Sequence, residues 1–272
     1  MIRATAAVLV LATAGPAPAQ PLPEAVSCIL TPARTVEVAS PVEGVLAEVL
    51  VDRGDRVAEG APLARLESSL QEAALAMARH EAASDAPVLS RRAQLTEARQ
   101  RLAQTETLRA RGVASETALN EVSAEVEVAR NLLREAEVAR ETARLDANRA
   151  EAALALRTTR APIAGAVLER HLDAGEYASE QRPLLTLVSL DPIHAEVLMP
   201  EKAFGRLQAG ALAEVAMLGP DPATATGRIA VVDPVVDPAS RTFGVRVALD
   251  NADGRLRAGL RCAVVFDAGE RS

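Results

Sequence analysis

The chain has 272 residues, 49% of them hydrophobic and 25% charged, with a mean hydropathy of +0.09, which excludes both a disordered chain and a membrane-saturated one. The formal net charge is −7, from 30 basic against 37 acidic residues, and only Tyr177, Phe204, Phe243 and Phe266 are aromatic. Nucleic-acid binding wants a basic face and stacking rings, so that class is excluded. Among the basic residues there is a single lysine, Lys202.

Met1-Ile2-Arg3, an apolar run from Ala4 to Ala14 and the small residues Ala17-Pro18-Ala19 match the three regions of a secretory signal over residues 1–19. That run is too short to span a bilayer, and no later stretch offers about 18 consecutive apolar residues. The expectation is an exported protein. Lipid attachment at Cys28 is the weaker rival: Ala25-Val26-Ser27-Cys28 resembles a lipid-attachment box, but Pro21 and Pro23 separate it from the apolar run. Cys28 and Cys262 are the only cysteines, and export puts them where disulfides persist. Two readings stand: two unpaired buried thiols, or a bond that staples the chain ends and removes on the order of 5 kcal/mol of unfolded-chain entropy at most.

A segment starting at Pro41 returns without gaps 121 positions later at Pro162. Identical pairs are Pro41/Pro162, Gly44/Gly165, Glu48/Glu169, Asp52/Asp173, Gly54/Gly175, Glu59/Glu180, Pro62/Pro183, Leu63/Leu184 and Leu66/Leu187, where roughly two would arise by chance. Each copy reads as strand, turn, strand, with Asp-x-Gly at the turn, and two such hairpins predict a small β-sandwich. The copies resemble the half-motif of biotinyl and lipoyl domains, which carry a cofactor on a lysine at the turn joining the halves. No lysine lies between these halves, so the amide to biotin or lipoate has no amine to form on, and no cofactor is expected.

Between the halves, from about Glu67 to Thr159, the chain is rich in Ala, Glu, Arg and Leu, with Gly112 its only glycine and Pro87 its only proline. A 3,4 spacing through Leu119, Val122, Val126, Ala129, Leu133, Ala136, Arg140, Ala143, Ala147, Ala150 and Leu154 is a coiled-coil seam broken only at Arg140. The first half holds the same phase more weakly through Leu70, Ala74, Met77, Val88, Leu95, Ala98 and Leu102. Pro87 predicts a break or kink, with Ser84 or Asp85 to cap the restart. Gly112 ends the first arm and Ser115 caps the second, giving an antiparallel hairpin of two arms of about 42 residues, or roughly 60 Å each.

From Ile193 the pattern changes to short alternating strands, His194 to Met199, Ala213 to Leu218, Thr226 to Val232, Phe243 to Leu249 and Cys262 to Phe266, with a short helix from Glu201 to Gln208. This spacing predicts a small antiparallel barrel, which the segment Ser27 to Thr31 joins beside the last strand. The fold class is therefore multidomain α+β: a coiled-coil hairpin inserted into a lipoyl-like sandwich, followed by a β-barrel. The boundaries are 1–19 signal, 20–35 N-terminal strand of the barrel, 36–66 and 160–190 the two halves, 67–159 the hairpin, 191–268 the barrel and 269–272 the tail.

In this order the pieces resemble the periplasmic adaptor subunits, or membrane fusion proteins, of resistance-nodulation-division (RND) efflux pumps. The matching barrel signature is Gly227-Arg228-Ile229, then Asp237-Pro238-Ala239-Ser240-Arg241-Thr242, then Asn251 to Leu260 with Gly259 near its end. The resemblance implies a bridge between an inner-membrane transporter and an outer-membrane channel, a ring of six protomers and a periplasmic location held at the inner membrane by the partner. It also implies a tip motif of Arg, Leu and Ser spaced 4 and 7 apart that contacts the channel. Leu108 and Ser115 match it, around Gly112, but Gln104 stands at the arginine position, which implies an altered or weaker contact. Ser115 reads equally as a plain helix cap. Few residues precede Cys28 in the mature chain and six follow Phe266, so the expectation is a minimal adaptor that grips its transporter mainly through the barrel.

Enzymatic chemistry has little support. His80, His171 and His194 are far apart in sequence, His80-Glu81 lacks a second histidine at zinc-protease spacing, and no phosphate loop occurs. Met77, Met199 and Met217 are too scattered for a copper or silver relay. The alternatives to an RND-type adaptor are an adaptor of an ABC-type exporter, which shares this architecture, and a periplasmic coiled-coil scaffold without a pump.

Overall fold

The computed structural model describes residues 25–218 and 223–266. The expected signal peptide at 1–19 and the tail at 269–272 lie outside the described residues. The described residues form two compact units, one of residues 35–189 and the other of those up to Arg34 together with those from Leu190 onward.

In the first of these, the end of β1 (Val26–Ala39) leads into β2 (Gly44–Val49), β3 (Arg56–Val57) and β4 (Pro62–Leu66). Helices α1 (Ser69–Ala82), α2 (Ala86–Ala110) and α3 (Glu116–Ala155) follow, then β5 (Thr158–Arg160), β6 (Gly165–Arg170), β7 (Tyr177–Ala178) and the start of β8 (Pro183–Pro200). Strands β2, β3 and β4 return as β6, β7 and β8 at the offset of the sequence repeat. Each copy completes the other: β2 pairs with β7 through Gly44↔Ala178 and Val45↔Tyr177, and β6 pairs with β3 through Gly165↔Val57 and Ala166↔Arg56. These are the same pairs under the repeat. The turn glycines take positive φ, 95° at Gly54 and 91° at Gly175, and donate across to Val167 at 2.9 Å and Leu46 at 2.8 Å. Even the irregularity repeats, between Leu46 and Glu48 in β2 and between Val167 and Glu169 in β6. The core follows, because Leu46, Leu63, Ala64 and Leu66 and their counterparts Val167, Leu184, Leu185 and Leu187 are all buried in one cluster.

The helices leave from β4 and return into β5, and those strands pair through Ala64↔Thr159 and Arg65↔Thr158. Leu66 N–H donates to Arg157 C=O at 2.8 Å at this junction. The helical arm has three helices of 14, 25 and 40 residues, the break expected near Pro87 falling between the first two, which together span 69–110. Asp85 is the N-cap position of α2 and Pro87 sits in its first turn, where a missing N–H leaves no bond unmade. The Asp85 carboxylate accepts from Arg140 Nη1 at 2.9 Å. Thus the one residue that interrupts the α3 seam lies opposite the break in the other arm. Every other seam position of α3 is buried or half-buried.

In the first arm the expected phase holds for α2, where Val88, Leu95 and Ala98 are buried, but not for α1. Leu70 and Met77 are 73% and 75% exposed, while Leu75 is buried with Gln71, Ala78 and Ala82 half-buried beside it. The inward set of α1 is displaced by one position because the residues between Ala82 and Ala86 leave the helix. A phase carried through the break from α2 therefore misassigns α1.

In the second unit, β9 (Leu212–Leu218), β10 (Thr224–Val232), β11 (Thr242–Leu249) and β12 (Arg261–Phe266) join β1 and β8 in the order β1-β12-β9-β10-β11-β8. Every other residue turns inward, as Ile193, Ala195, Val197 and Met199 of β8 and Phe243, Val245, Val247 and Leu249 of β11 do. Cys28 lies opposite Cys262 in the β1–β12 register, and the two are joined as a disulfide. The expected helix from Glu201 to Gln208 is only a 3-10 turn over Glu201–Ala203. Gly205 and Gly210, with φ of 79° and 91°, turn the chain away from helical geometry, and the Phe204 ring packs edge-on to Phe243 at 5.3 Å between centroids.

The repeat makes an unequal pair of glycines informative. A Cβ on Gly165 would stand 2.2 Å from the Val188 carbonyl oxygen, whereas one on Gly44 would meet the movable Arg157 Nη1 at 2.9 Å. Gly165→Ala is expected to cost about 2–3 kcal/mol and Gly44→Ala less than about 1 kcal/mol. Urea unfolding midpoints of the two variants check this; equal losses would refute the unequal crowding.

Candidate functional site

Two exposed, internally ordered features stand out, one in each unit. In the helical arm, α2 ends in a complete Schellman arrangement: Val113 N–H donates to Leu108 C=O at 2.9 Å and Gly112 N–H to Arg109 C=O at 2.8 Å, with Gly112 at φ 76°. Ser115 then starts α3, its Oγ accepting from Ala118 N–H at 3.1 Å. The Arg109 guanidinium lies 3.7 Å from Glu116 across the turn. Leu108 is 43% and Val113 73% exposed. Gln104 is exposed one helical turn before Leu108 on the same face of α2. Ser115 lies beyond the turn, on the next helix. Sequence spacing missed Val113, because one apolar residue in a turn carries no period.

At the root of the same arm, Glu67 accepts from Ser69 N–H at 3.1 Å, and hydrogen bonding to Ser69 holds its carboxyl below the usual range. Glu67 thus caps α1 in place of Ser68, whose hydroxyl donates to Glu72 at 2.7 Å. Arg157 donates to the Glu43 carbonyl at 3.1 Å, and the Tyr177 hydroxyl donates to the Glu43 carboxylate at 3.1 Å. That bond to an acceptor carboxylate raises the Tyr177 pKa.

In the other unit, the loop between β10 and β11 is closed on itself. Asp237 N–H donates to Thr242 C=O and Arg241 N–H to Asp237 C=O, both at 2.8 Å. The Asp237 carboxylate accepts from Ala239 N–H at 2.8 Å and from the Ser240 hydroxyl at 3.0 Å, and these bonds, the Ala239 one first, lower its pKa. Arg241 has φ 56°, and among the described residues it is the one non-glycine with positive φ. Its Nε and Nη2 donate to the two Glu201 oxygens at 3.0 and 3.2 Å, which raises its pKa. Asp237, Arg241 and Thr242 of the sequence signature therefore meet in one loop. Gly259 serves another contact, donating to Leu30 C=O at 2.7 Å with φ 88°. Glu201 is the partner the sequence did not show, because nothing local links it to a residue 40 positions away.

Among the described residues, no group of His, Cys, Asp and Glu is placed to hold a metal ion, and no helix is long and apolar enough to cross a membrane. His171 Nε2 lies 2.9 Å from Thr186 Oγ1. His194 is half-buried, and desolvation first, then Arg246, lowers its pKa.

A reciprocally paired strand sandwich that carries a helical arm defines the class known as a barrel-sandwich hybrid. Residues 34–189 match the family model described as the CzcB-like barrel-sandwich hybrid domain, and residues 192–270 match the CusB-like beta-barrel domain. The chain belongs to the membrane fusion protein family. It is 29% identical over 231 residues to the nodulation protein NolF of Rhizobium meliloti, covering 85% of this chain and 59% of that protein. It is 31% identical over 146 residues to the cation efflux system protein CzcB of an Alcaligenes species, covering 52% of this chain and 28% of that protein. The chain thus spans less than two thirds of the length of either relative. In fold it is similar to MacA from Actinobacillus actinomycetemcomitans, with a TM-score of 0.75 at 20% identity over 89% of this chain and 78% of that one. The membrane fusion protein Spr0693 of Streptococcus pneumoniae R6 gives a TM-score of 0.59 at 19% identity, over 91% of this chain and 100% of that one.

Two substitutions separate local folding roles from contact roles. Ser115→Ala is expected to cost about 1 kcal/mol in urea unfolding, and an unchanged midpoint would remove the cap assignment. Because glycine accepts positive φ and alanine does not, Arg241→Gly is expected to unfold at a higher temperature than Arg241→Ala. The reverse order in thermal denaturation would refute strain at that residue.

Proposed function

We propose that this chain is a non-catalytic periplasmic adaptor that links an inner-membrane efflux transporter, of RND type, to an outer-membrane channel. The observation that carries the reading is the tip of the helical arm: a turn ordered by a Schellman arrangement and a serine cap that leaves Leu108 and Val113 in solvent. A turn held by its own caps with two apolar side chains outward is suited to docking a protein rather than to chemistry. In this reading residues 67–159 form the arm, 36–66 and 160–190 the lipoyl-like halves, and 191–268 with the strand of 20–35 the barrel. The protein is exported, with its signal at 1–19, and acts as a ring of copies, six by family resemblance.

Gln104, Leu108, Gly112 and Ser115 form the channel-contacting tip, with Ser115 contributing through the geometry of the turn. The loop of Asp237, Arg241 and Thr242 contacts the transporter. The similarity to a cation efflux system protein supports the pump assignment, and no metal site in this chain is required for it.

The test is in-cell crosslinking from a photoreactive residue at Leu108 and, separately, at Arg241. An outer-membrane channel captured at the tip and an RND transporter at the barrel is the expected result. An ABC-type transporter at the barrel would reassign the pump class, and capture of neither would leave an exported scaffold. Leu108→Asp is expected to abolish tip capture and lower resistance at least ten-fold while leaving the unfolding midpoint unchanged; wild-type resistance in a pump-dependent strain would overturn the tip assignment.

A further inference from the structure

We infer that the Cys28–Cys262 bond is an oxidative closing step: the chain is a substrate for thiol oxidation after export, and the bond locks β1 onto β12. It joins positions 234 residues apart, on the first and last described strands of the chain. The native pair therefore cannot meet until the chain that separates them by 234 positions has emerged. With two cysteines in the sequence there is one intramolecular pairing, so no reshuffling is needed.

Position and burial set the order of events. Cys28 is 6% and Cys262 0% exposed, within the core of the unit that holds β8 to β12. Once β1 is docked, neither sulfur is open to an oxidant or a reductant, so oxidation accompanies docking. The pairing of β1 with β12 covers only Val26 to Ile29 against Arg261 to Val264, extended by Leu30 N–H to Leu260 C=O and Gly259 N–H to Leu30 C=O. That pairing is short, and although β1 also pairs with β8, its loss would bare the β12 edge to another copy.

The step balances with a disulfide oxidant of the thiol–disulfide oxidoreductase class. One cysteine thiolate attacks a sulfur of that disulfide and expels one oxidant thiol. The second cysteine then attacks the mixed disulfide at the first cysteine's sulfur and expels the other. Two electrons pass to the oxidant, whose two released thiols keep the two protons. The timing in the cell rests on the export reading above; the lock itself does not.

The test has two arms that separate these. In vitro, reduced and oxidised full-length protein are compared by thermal unfolding and by amide exchange at Ser27 to Leu30, with Cys28→Ala/Cys262→Ala as a thiol-free control. The reduced form and the double variant are expected to unfold roughly 10 °C lower and to exchange at least ten-fold faster there. Equal midpoints and equal exchange would overturn the lock. The folded oxidised protein should resist dithiothreitol until unfolded; rapid native reduction would overturn the burial argument. In cells, fractionation plus maleimide labelling after acid quench and denaturation is expected to find no free thiol in the exported protein and two in a strain lacking its thiol oxidase. Two thiols in the exported wild-type protein would overturn the oxidation step, whereas retention in the cytoplasm would overturn the export reading and leave the in vitro arm to decide the lock.

Discussion

The reciprocal pairing of the two half-motifs is the constraint on which the unit of residues 35–189 depends. Neither hairpin closes its own sheet: β2 needs β7 and β6 needs β3, and both copies supply side chains to one buried cluster. Hydrophobic positions recur at the repeat offset because they face the same core from two sides. The helical arm is tolerated between the halves because its ends leave and return on paired strands, β4 and β5, so a long excursion spans a short gap. Ser68 at the arm's root and Ser189 are equivalent positions of the repeat, but Ser68 leads into α1 whereas Ser189 continues within β8.

The arm is held differently from the sandwich. Its buried residues are few, with Leu95, Ala98 and Val126 at the centre. Ion pairs between its helices, Arg79 with Glu151, Arg101 with Glu125 and Arg140 with Asp85, are all exposed and contribute little each. A thin, alanine-rich seam lets the helices approach closely but stores little energy. The bonds at the root, Glu67 to Ser69, Leu66 to Arg157 and Arg157 to Glu43, fix where the arm starts.

Much of this was legible in the sequence because it is periodic or repeated. The offset between Pro41 and Pro162 predicts two equivalent hairpins, and β2, β3 and the start of β4 recur residue for residue as β6, β7 and the start of β8. The α3 seam reads directly, since a 40-residue helix keeps one phase. In α1 that fails, because three non-helical residues before Ala86 shift the inward face by one position, and period analysis cannot see a deletion in phase. The helix expected from Glu201 is lost to Gly205 and Gly210, whose positive φ outweighs local propensity. For the candidate sites, Leu108, Gly112 and Ser115 come from turn chemistry, whereas Glu201 beside Arg241 comes only from strands meeting in space, with Thr242 registered on Pro200.

The absent lysine ties the sandwich to its use. Carrier domains of this half-motif design place an amine at the joint between halves, where a short turn presents it to an enzyme. Here the joint is α1 to α3, and the turn that would present a cofactor has become the tip that exposes Leu108 and Val113. The same mechanical property serves both: two interlocked hairpins hold whatever leaves their joint at a fixed point. Lys202, the one lysine, lies next to Glu201 in the other unit, where no joint exists. Without the amine the carrier chemistry has no anchor and the positioning remains, which is what the proposed adaptor role requires.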